Sequence, residues 1–266
     1  MQPVDSFPKS LLAGIRYVLT DIDDTLTTHG RLPSSSLKVL EELSESGLRV
    51  IPVTGRPAGW CDHIARMWPV DAVVGENGAL YFAYDRGAHR MIAGYATEDS
   101  ERREAGKKLD KLRSEILAKV PGAGIASDQD YRIADLAIDF CEDVPRLPDP
   151  AIDEIVALFR AAGATAKVSS IHVNGWFGHY DKLSMTRRCL KELFDCDVDA
   201  ESNAIVFVGD SPNDQPMFAH FQNAVGVANV HDFELQTPPR WVTRERAADG
   251  FCEFASLLLE ARKVAA

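Results

Sequence analysis

The sequence predicts an α/β fold: a doubly wound parallel sheet interrupted by an inserted α+β domain. Three observations predict it. Short apolar runs rich in β-branched residues alternate with segments of helical period near the amino end, and the same rhythm returns near the carboxyl end. Between them the pattern changes to a hairpin, alternating strands and two helices.

Taken in order, "IRYVLTDI" reads as a buried strand, and "SSSLKVLEELSESG" as a helix with serines for its N-cap, apolar Leu37, Leu40 and Leu43, and Gly47 as its stop. "LRVIPVTG" is a second strand, "RPAGWCDHIARMW" a helix, and "VDAVVGENG" a third strand ending in a turn. In the middle, "ALYFAYDRGAHRMIAGYA" reads as a hairpin, residues 98–119 as a charged helix and "YRIADLAIDF" as an alternating strand. "PAIDEIVALFRAAG" then reads as a helix and "TAKVSSIHVN" as one strand. Late in the chain come "AIVFVGD", a strand ending in Asp210, then the helix "PNDQPMFAHF", the strand "NAVGVAN" and a terminal helix, "FCEFASLLLEARK". The two outer stretches, 1–80 and 181–266, are expected to form one sheet, with 81–180 as the insertion.

Bulk properties narrow the function. Lys plus Arg number 29 against 40 Asp plus Glu, a net charge of −11, so the mean surface field repels polyanions and nucleic acid is excluded as a partner. The five cysteines are scattered without C-x-x-C spacing, which points away from disulfides and zinc. No apolar run approaches a membrane span and the first residues lack the pattern of a secretory signal, so a cytoplasmic protein is expected.

The chemistry begins at "VLTDIDDTLTTHG", where Asp21, Asp23 and Asp24 crowd the end of a buried strand. Like charges so close require a cation or protons. Residues two apart share one side of a strand, so Asp21 and Asp23 can face one site, and Asp210 at a later strand end can join them. Such hard oxygen ligands suit Mg²⁺. Thr54 and Gly55, after the second strand, offer a hydroxyl and backbone N–H groups to an anion, and Lys182 begins a helix where the chain returns to the core. Each has a blander reading: a solvated D-x-D loop, a turn threonine, a helix-end lysine.

Together, "DIDDT", "VTG", the lysine of "DKLS" and "GDSPND" resemble the four ordered motifs of the haloacid dehalogenase superfamily, whose members are mostly Mg²⁺-dependent phosphatases with a Rossmann-like core. The long insertion, preceded by "GENG", resembles the large α+β cap of the subgroup with sucrose-phosphate phosphatase, phosphoglycolate phosphatase and phosphomannomutase. The resemblance implies Asp21 as nucleophile, forming an aspartyl phosphate, and Asp23 as general acid and base, with Thr25 orienting the loop. It implies Mg²⁺ held by Asp21, the Asp23 carbonyl, Asp210 and Asp214, with Thr54 and Lys182 on the phosphate oxygens.

The cap is expected to exclude water and contact the leaving group. Candidate substrate-binding residues are Arg132, His172 and Asn174 from the cap, and Gly55, Arg56, Asn77 and Asn213 from the core, beside Thr54 and Lys182. Arg132 alternatively pairs with an acidic neighbour, His172 is a satisfied strand residue, and Trp176 is packing. The expected partner is a small phosphorylated sugar, polyol or hydroxy acid. A phosphosugar mutase shares every core residue named. A phospho-receiver domain or a phospholigand sensor is disfavoured by the inserted domain, the D-x-D pair and the complete motif set.

Overall fold

The computed structural model describes residues 1–265. Its elements run β1 (Gln2–Pro3), α1 (Lys9–Ala13), β2 (Tyr17–Thr20), α2 (Ser34–Glu45), β3 (Arg49–Pro52), α3 (Ala58–Met67) and β4 (Val73–Gly75). The hairpin β5 (Leu80–Asp85) and β6 (Arg90–Tyr95) follows, then α4 (Asp99–Lys119), β7 (Gly124–Ile125), β8 (Asp135–Asp139), α5 (Asp149–Ala161), β9 (Thr165–Val168) and β10 (His172–Trp176). The chain closes with α6 (Lys182–Phe194), β11 (Ile205–Gly209), α7 (Gln215–His220), β12 (Ala224–Gly226), β13 (Trp241–Val242) and α8 (Ala247–Ala265).

The amino- and carboxyl-terminal stretches form one six-stranded sheet in the order β1-β13-β12-β11-β2-β3, every neighbouring pair parallel. Period-two alternation sends its side chains to two separate cores. Val18, Val50, Val206 and Val208 pack under α2 and α8 with Leu40, Phe251 and Phe254, while Leu19, Ile51 and Phe207 pack under α6 and α7 with Met185, Cys189 and Met217. A sheet buried on both faces explains why these strands read as continuous apolar runs. Among the described residues no helix is long and apolar enough to cross a membrane.

The inserted segment builds an antiparallel sheet, β7-β8-β10-β9, with α4 and α5 on one face. Leu136, Ile138 and Val173 point to those helices beside Leu112, Ile116, Ile155 and Phe159. The same alternation puts Asp135, Asp139, His172 and Asn174, all buried, on the opposite face.

Three expectations need revision. Residues 165–174 are not one strand but the hairpin β9–β10. The Ser169 hydroxyl accepts the N–H groups of Ile171 (3.3 Å) and His172 (3.0 Å), a local bond that competes with strand pairing. Strand β8 begins only at Asp135, because the N–H groups of Ile133 and Ala134 are donated to the Glu76 carboxylate instead of a ladder. The hairpin β5–β6 pairs with β4, which is bridged to the main sheet at Val53 and Val74, and buries Phe82 and Tyr81 in the two core clusters. We therefore propose a cap boundary after Tyr95 rather than at residue 80.

Candidate active site

The parallel register brings the strand ends together. The Asp21 N–H donates to the Val208 carbonyl (2.8 Å) and the Val53 N–H to that of Thr20 (2.7 Å), so Asp21, Thr54 and Asp210 leave the sheet at one edge. Asp21 and Asp23 lie just beyond β2, in a loop. Lys182 reaches them from the first turn of α6, where the capping box of Asp181 and Ser184 fixes the helix start.

Carboxylate oxygens of Asp21, Asp210 and Asp214 all lie within 4.8 Å of one another. The Lys182 ammonium donates to Asp21 Oδ1 and to Asp214 Oδ1, both at 2.7 Å. Asp214 Oδ2 accepts the N–H groups of Asp210 (3.0 Å) and Ser211 (3.3 Å). That close approach depends on Gly209, where a Cβ would stand 2.5 Å from Asp214 Oδ2.

Three carboxylates against one ammonium leave two negative charges in a site where Asp21, Asp210, Asp214 and Lys182 are all buried. Burial accordingly pushes the Asp21 carboxyl up to about 8 despite the pull of Lys182, and raises Asp210 well above the usual carboxylate range, with Asp21 and Asp214 adding to the effect. Burial alone would lower Lys182, but Asp21 and Asp214 outweigh it and hold the ammonium above its ordinary value. Both oxygens of Asp210 are buried without any hydrogen-bond partner. An acceptor pair so costly to orphan, facing two more hard oxygen ligands, fits a divalent cation such as Mg²⁺.

Beside this cluster, Arg56 grips Asp23 through Nε (2.9 and 3.0 Å) and Nη2 (2.8 Å). Its remaining donors cross to the cap, at Glu142 Oε1 (2.8 Å) and Asp128 Oδ2 (3.2 Å), and its guanidinium lies 4.5 Å from the centre of the Trp60 ring. The Thr54 hydroxyl accepts the Arg56 N–H (3.0 Å), which leaves its own proton free to donate. Asn77, buried with its amide unpartnered, lies against Gly55, and Asn213 accepts the Ser211 hydroxyl (2.8 Å).

The cap residues divide. His172 Nε2 lies 2.9 Å from Glu142, whose carboxyl is pulled down to about 2 because the nearness of His172 and the bond from Arg56 outweigh the opposing cost of burial. Asn174 donates to Asp135 (2.9 Å). Arg132 lines the same chamber, with its guanidinium engaged by protein: it bonds Asp128 and Asp135, and donates to the Gly55 carbonyl (2.9 Å). Two buried carboxylates beside one guanidinium satisfy each other. Trp176 is packing, buried and stacked on Tyr180.

Sequence reading missed Asp128, Glu142, Ser169, Ser170 and Ser211, all placed around this chamber. A serine pair inside a β-branched run is a turn signal that would have found the hairpin tip. Between that tip, Asp21, Asp23 and Arg56 the chamber keeps only about 10 Å³, room for about one water. Outside it lie grooves of about 620 Å³, reaching Asp210 and Asp24, and about 420 Å³, bordered by Glu142 and Ser170.

Fold, motif order and site together resemble those of haloacid dehalogenase-like hydrolases with an inserted α+β cap. The family described as haloacid dehalogenase-like hydrolase matches residues 18–102. The C-terminal domain of trehalose-6-phosphate phosphatase from C. albicans is similar at 17% identity, with a TM-score of 0.70 and 98% of each chain covered. Sucrose-phosphatase from Synechocystis, solved with sucrose and phosphate, gives 15% identity and a TM-score of 0.62 over 91% of this chain and 97% of that one. A Thermoplasma acidophilum protein gives 20% identity and a TM-score of 0.66, over 92% and 99%. No curated protein sequence matches the chain.

Proposed function

We propose that this hydrolase cleaves the phosphate monoester of a small polyhydroxy compound, a sugar phosphate foremost, with Mg²⁺ and through an aspartyl phosphate on Asp21. One observation carries the reading: the carboxylates of Asp21, Asp210 and Asp214 converge at the strand ends, with Lys182 bonded to Asp21 and Asp214 and with Asp210 unpartnered. The similar structures named for trehalose-6-phosphate and sucrose-phosphate cleavage support the substrate class.

Asp21, Asp210 and Asp214 would hold the cation, which when bound neutralises the carboxylates and the phosphate charge. Asp21 attacks phosphorus, dividing one difficult hydrolysis into two displacements. Lys182 and Thr54 hold phosphoryl oxygens, where charge spreads in the transition state. Asp23 gives a proton to the leaving oxygen and takes one from the water of the second step, with Arg56 orienting its carboxylate. Glu142, His172 and Asn174 line the leaving-group side with acceptors and donors suited to hydroxyls.

The test is phosphate release across phosphorylated sugars, polyols and short hydroxy acids, with and without Mg²⁺, and with Asp21→Asn as control. Mg²⁺-dependent release that Asp21→Asn abolishes is the expected result. Transfer to a second sugar position that needs a bisphosphate activator would replace hydrolysis with a mutase reaction. A stable phosphoprotein without turnover would sink both.

A further inference from the structure

Glu76, from the "GENG" turn, has no part in the chemistry above, yet it is fully buried and wholly committed. Its Oε1 accepts the N–H groups of Ala58 and Ile133, both at 2.9 Å, and its Oε2 accepts those of Ala134 (2.7 Å) and Ile133 (3.2 Å). Ala58 opens α3 of the core, whereas Ile133 and Ala134 lead into β8 of the cap. One carboxylate thus joins the two domains, from a turn that also meets the chain where it returns from the cap at Asp181.

The turn that carries it is strained. Glu76 (φ 45°), Asn77 (φ 53°) and Gly78 (φ 106°) are three successive residues in the left-handed region, a backbone kept only where surroundings demand it. The demands come from three sides. The N–H groups of Glu76 and Asn77 donate to the carbonyls of Arg56 and Thr54, both at 3.0 Å. Gly78 lies so close to the return linker that a Cβ there would stand 2.0 Å from the Asp181 carbonyl oxygen, one residue before Lys182. On the cap side, the pinned strand β8 ends in Asp139, whose carboxylate accepts the N–H groups of Cys141, Glu142 and Asp143 (2.9, 2.7 and 2.8 Å) and so aims Glu142 at Arg56.

We infer that Glu76 is a positioning residue: its carboxylate pins the cap's β8 entry onto the Thr54–Arg56 loop, holding the cap docked and keeping cap docking in register with the groups that flank Asp21. Neighbouring side chains share the load without replacing it. Arg132 ties the same segment to the Gly55 carbonyl, but it is itself held by Asp128 and Asp135 within the cap. A glutamine at 76 keeps the shape but turns an NH₂ donor toward N–H donors, leaving at least one of them buried and unpaired.

The experiment uses the full chain without substrate, so its result stands apart from the phosphatase reading. Solution scattering and site-resolved hydrogen exchange are measured for the unaltered protein and for Glu76→Gln. The expected result is a larger radius of gyration together with exchange at least about tenfold faster at Ile133, Ala134 and the 169–172 hairpin tip, while Phe207 in the core and Phe159 in the cap stay protected. Uniformly faster exchange would mean general unfolding; Glu76→Asp, which keeps the charge on a side chain one methylene shorter, is then decisive, with a smaller shift of the same pattern expected. An unchanged radius and unchanged exchange at the domain junction in a folded variant would overturn the inference.

Discussion

Lys182 Nζ stands 2.7 Å from Asp21 Oδ1 and 2.7 Å from Asp214 Oδ1, a single buried cation shared by two carboxylates. Removing it leaves both anions without their nearest partner. Lys182→Ala is expected to lower phosphate release by at least about 100-fold, equivalent to about 2.7 kcal/mol of barrier. It should also destabilise the fold by about 3 kcal/mol, read from urea melts, because an uncompensated buried charge remains.

Cation binding should be coupled to proton release. With Asp21 pushed up to about 8 and Asp210 also raised, the metal-free site carries protons at pH 7 that a divalent cation must displace. Calorimetric titration of Mg²⁺ at pH 7 in two buffers of different ionisation enthalpy is expected to give release of at least about one proton. Asp210→Asn should abolish both the release and the binding, and a titration with no proton release would contradict the assignment.

Gly209→Ala tests the geometry of the ligand set from the backbone. Its methyl would occupy the position 2.5 Å from Asp214 Oδ2 and drive that carboxylate off the N–H groups of Asp210 and Ser211. A loss of about 1–3 kcal/mol in stability is expected, with weaker Mg²⁺ binding by calorimetry. A variant that binds Mg²⁺ as the unaltered protein does would show that Asp214 does not hold the cation.

Acid should weaken the cap–core contact at Glu142. Its folded-state carboxyl sits at about 2, below the ordinary 4.5, so its contribution is full above pH 4.5 and is lost as pH falls toward 2. The shift corresponds to about 3 kcal/mol before solvent screening, and about 1–2 after it, since the side chain is 25% exposed. The stability difference between the unaltered protein and Glu142→Gln, followed by urea melts from pH 6 to pH 2, should shrink over that window.

The nucleophile prediction is simplest. Asp21→Asn keeps the size of the side chain but removes the attacking carboxylate, so phosphate release should vanish while affinity for the phosphate ester, measured by calorimetry, persists. Normal turnover would eliminate the covalent step.

The core half of the site was legible because local rules place it. Asp21, Thr54 and Asp210 stand where apolar runs end, and parallel strands present their carboxyl ends at one edge; Lys182 follows a readable helix cap. The cap half was not. Arg56 meets Glu142 across 86 residues of sequence, a contact made by docking two domains and visible in no local period. Arg132 is a different case: Asp128 and Asp135 lie four and three residues away, so pairing with an acidic neighbour was readable as its alternative, and only the fold shows that both bond it beside the Gly55 carbonyl. The Ser169 turn was hidden by β-branched and apolar neighbours that favoured an uninterrupted strand.

The chamber beside Asp21 has room for about one water, while the grooves that adjoin it reach Asp23, Arg56 and Asp210. On the proposed function, an ester that enters between cap and core would have to push them apart in each round, and the frequency of that breathing would then cap the throughput however fast the bond making is. Solvent viscosity, which drags on such large-scale movement and not on proton transfer, becomes a direct gauge of which leg is slower.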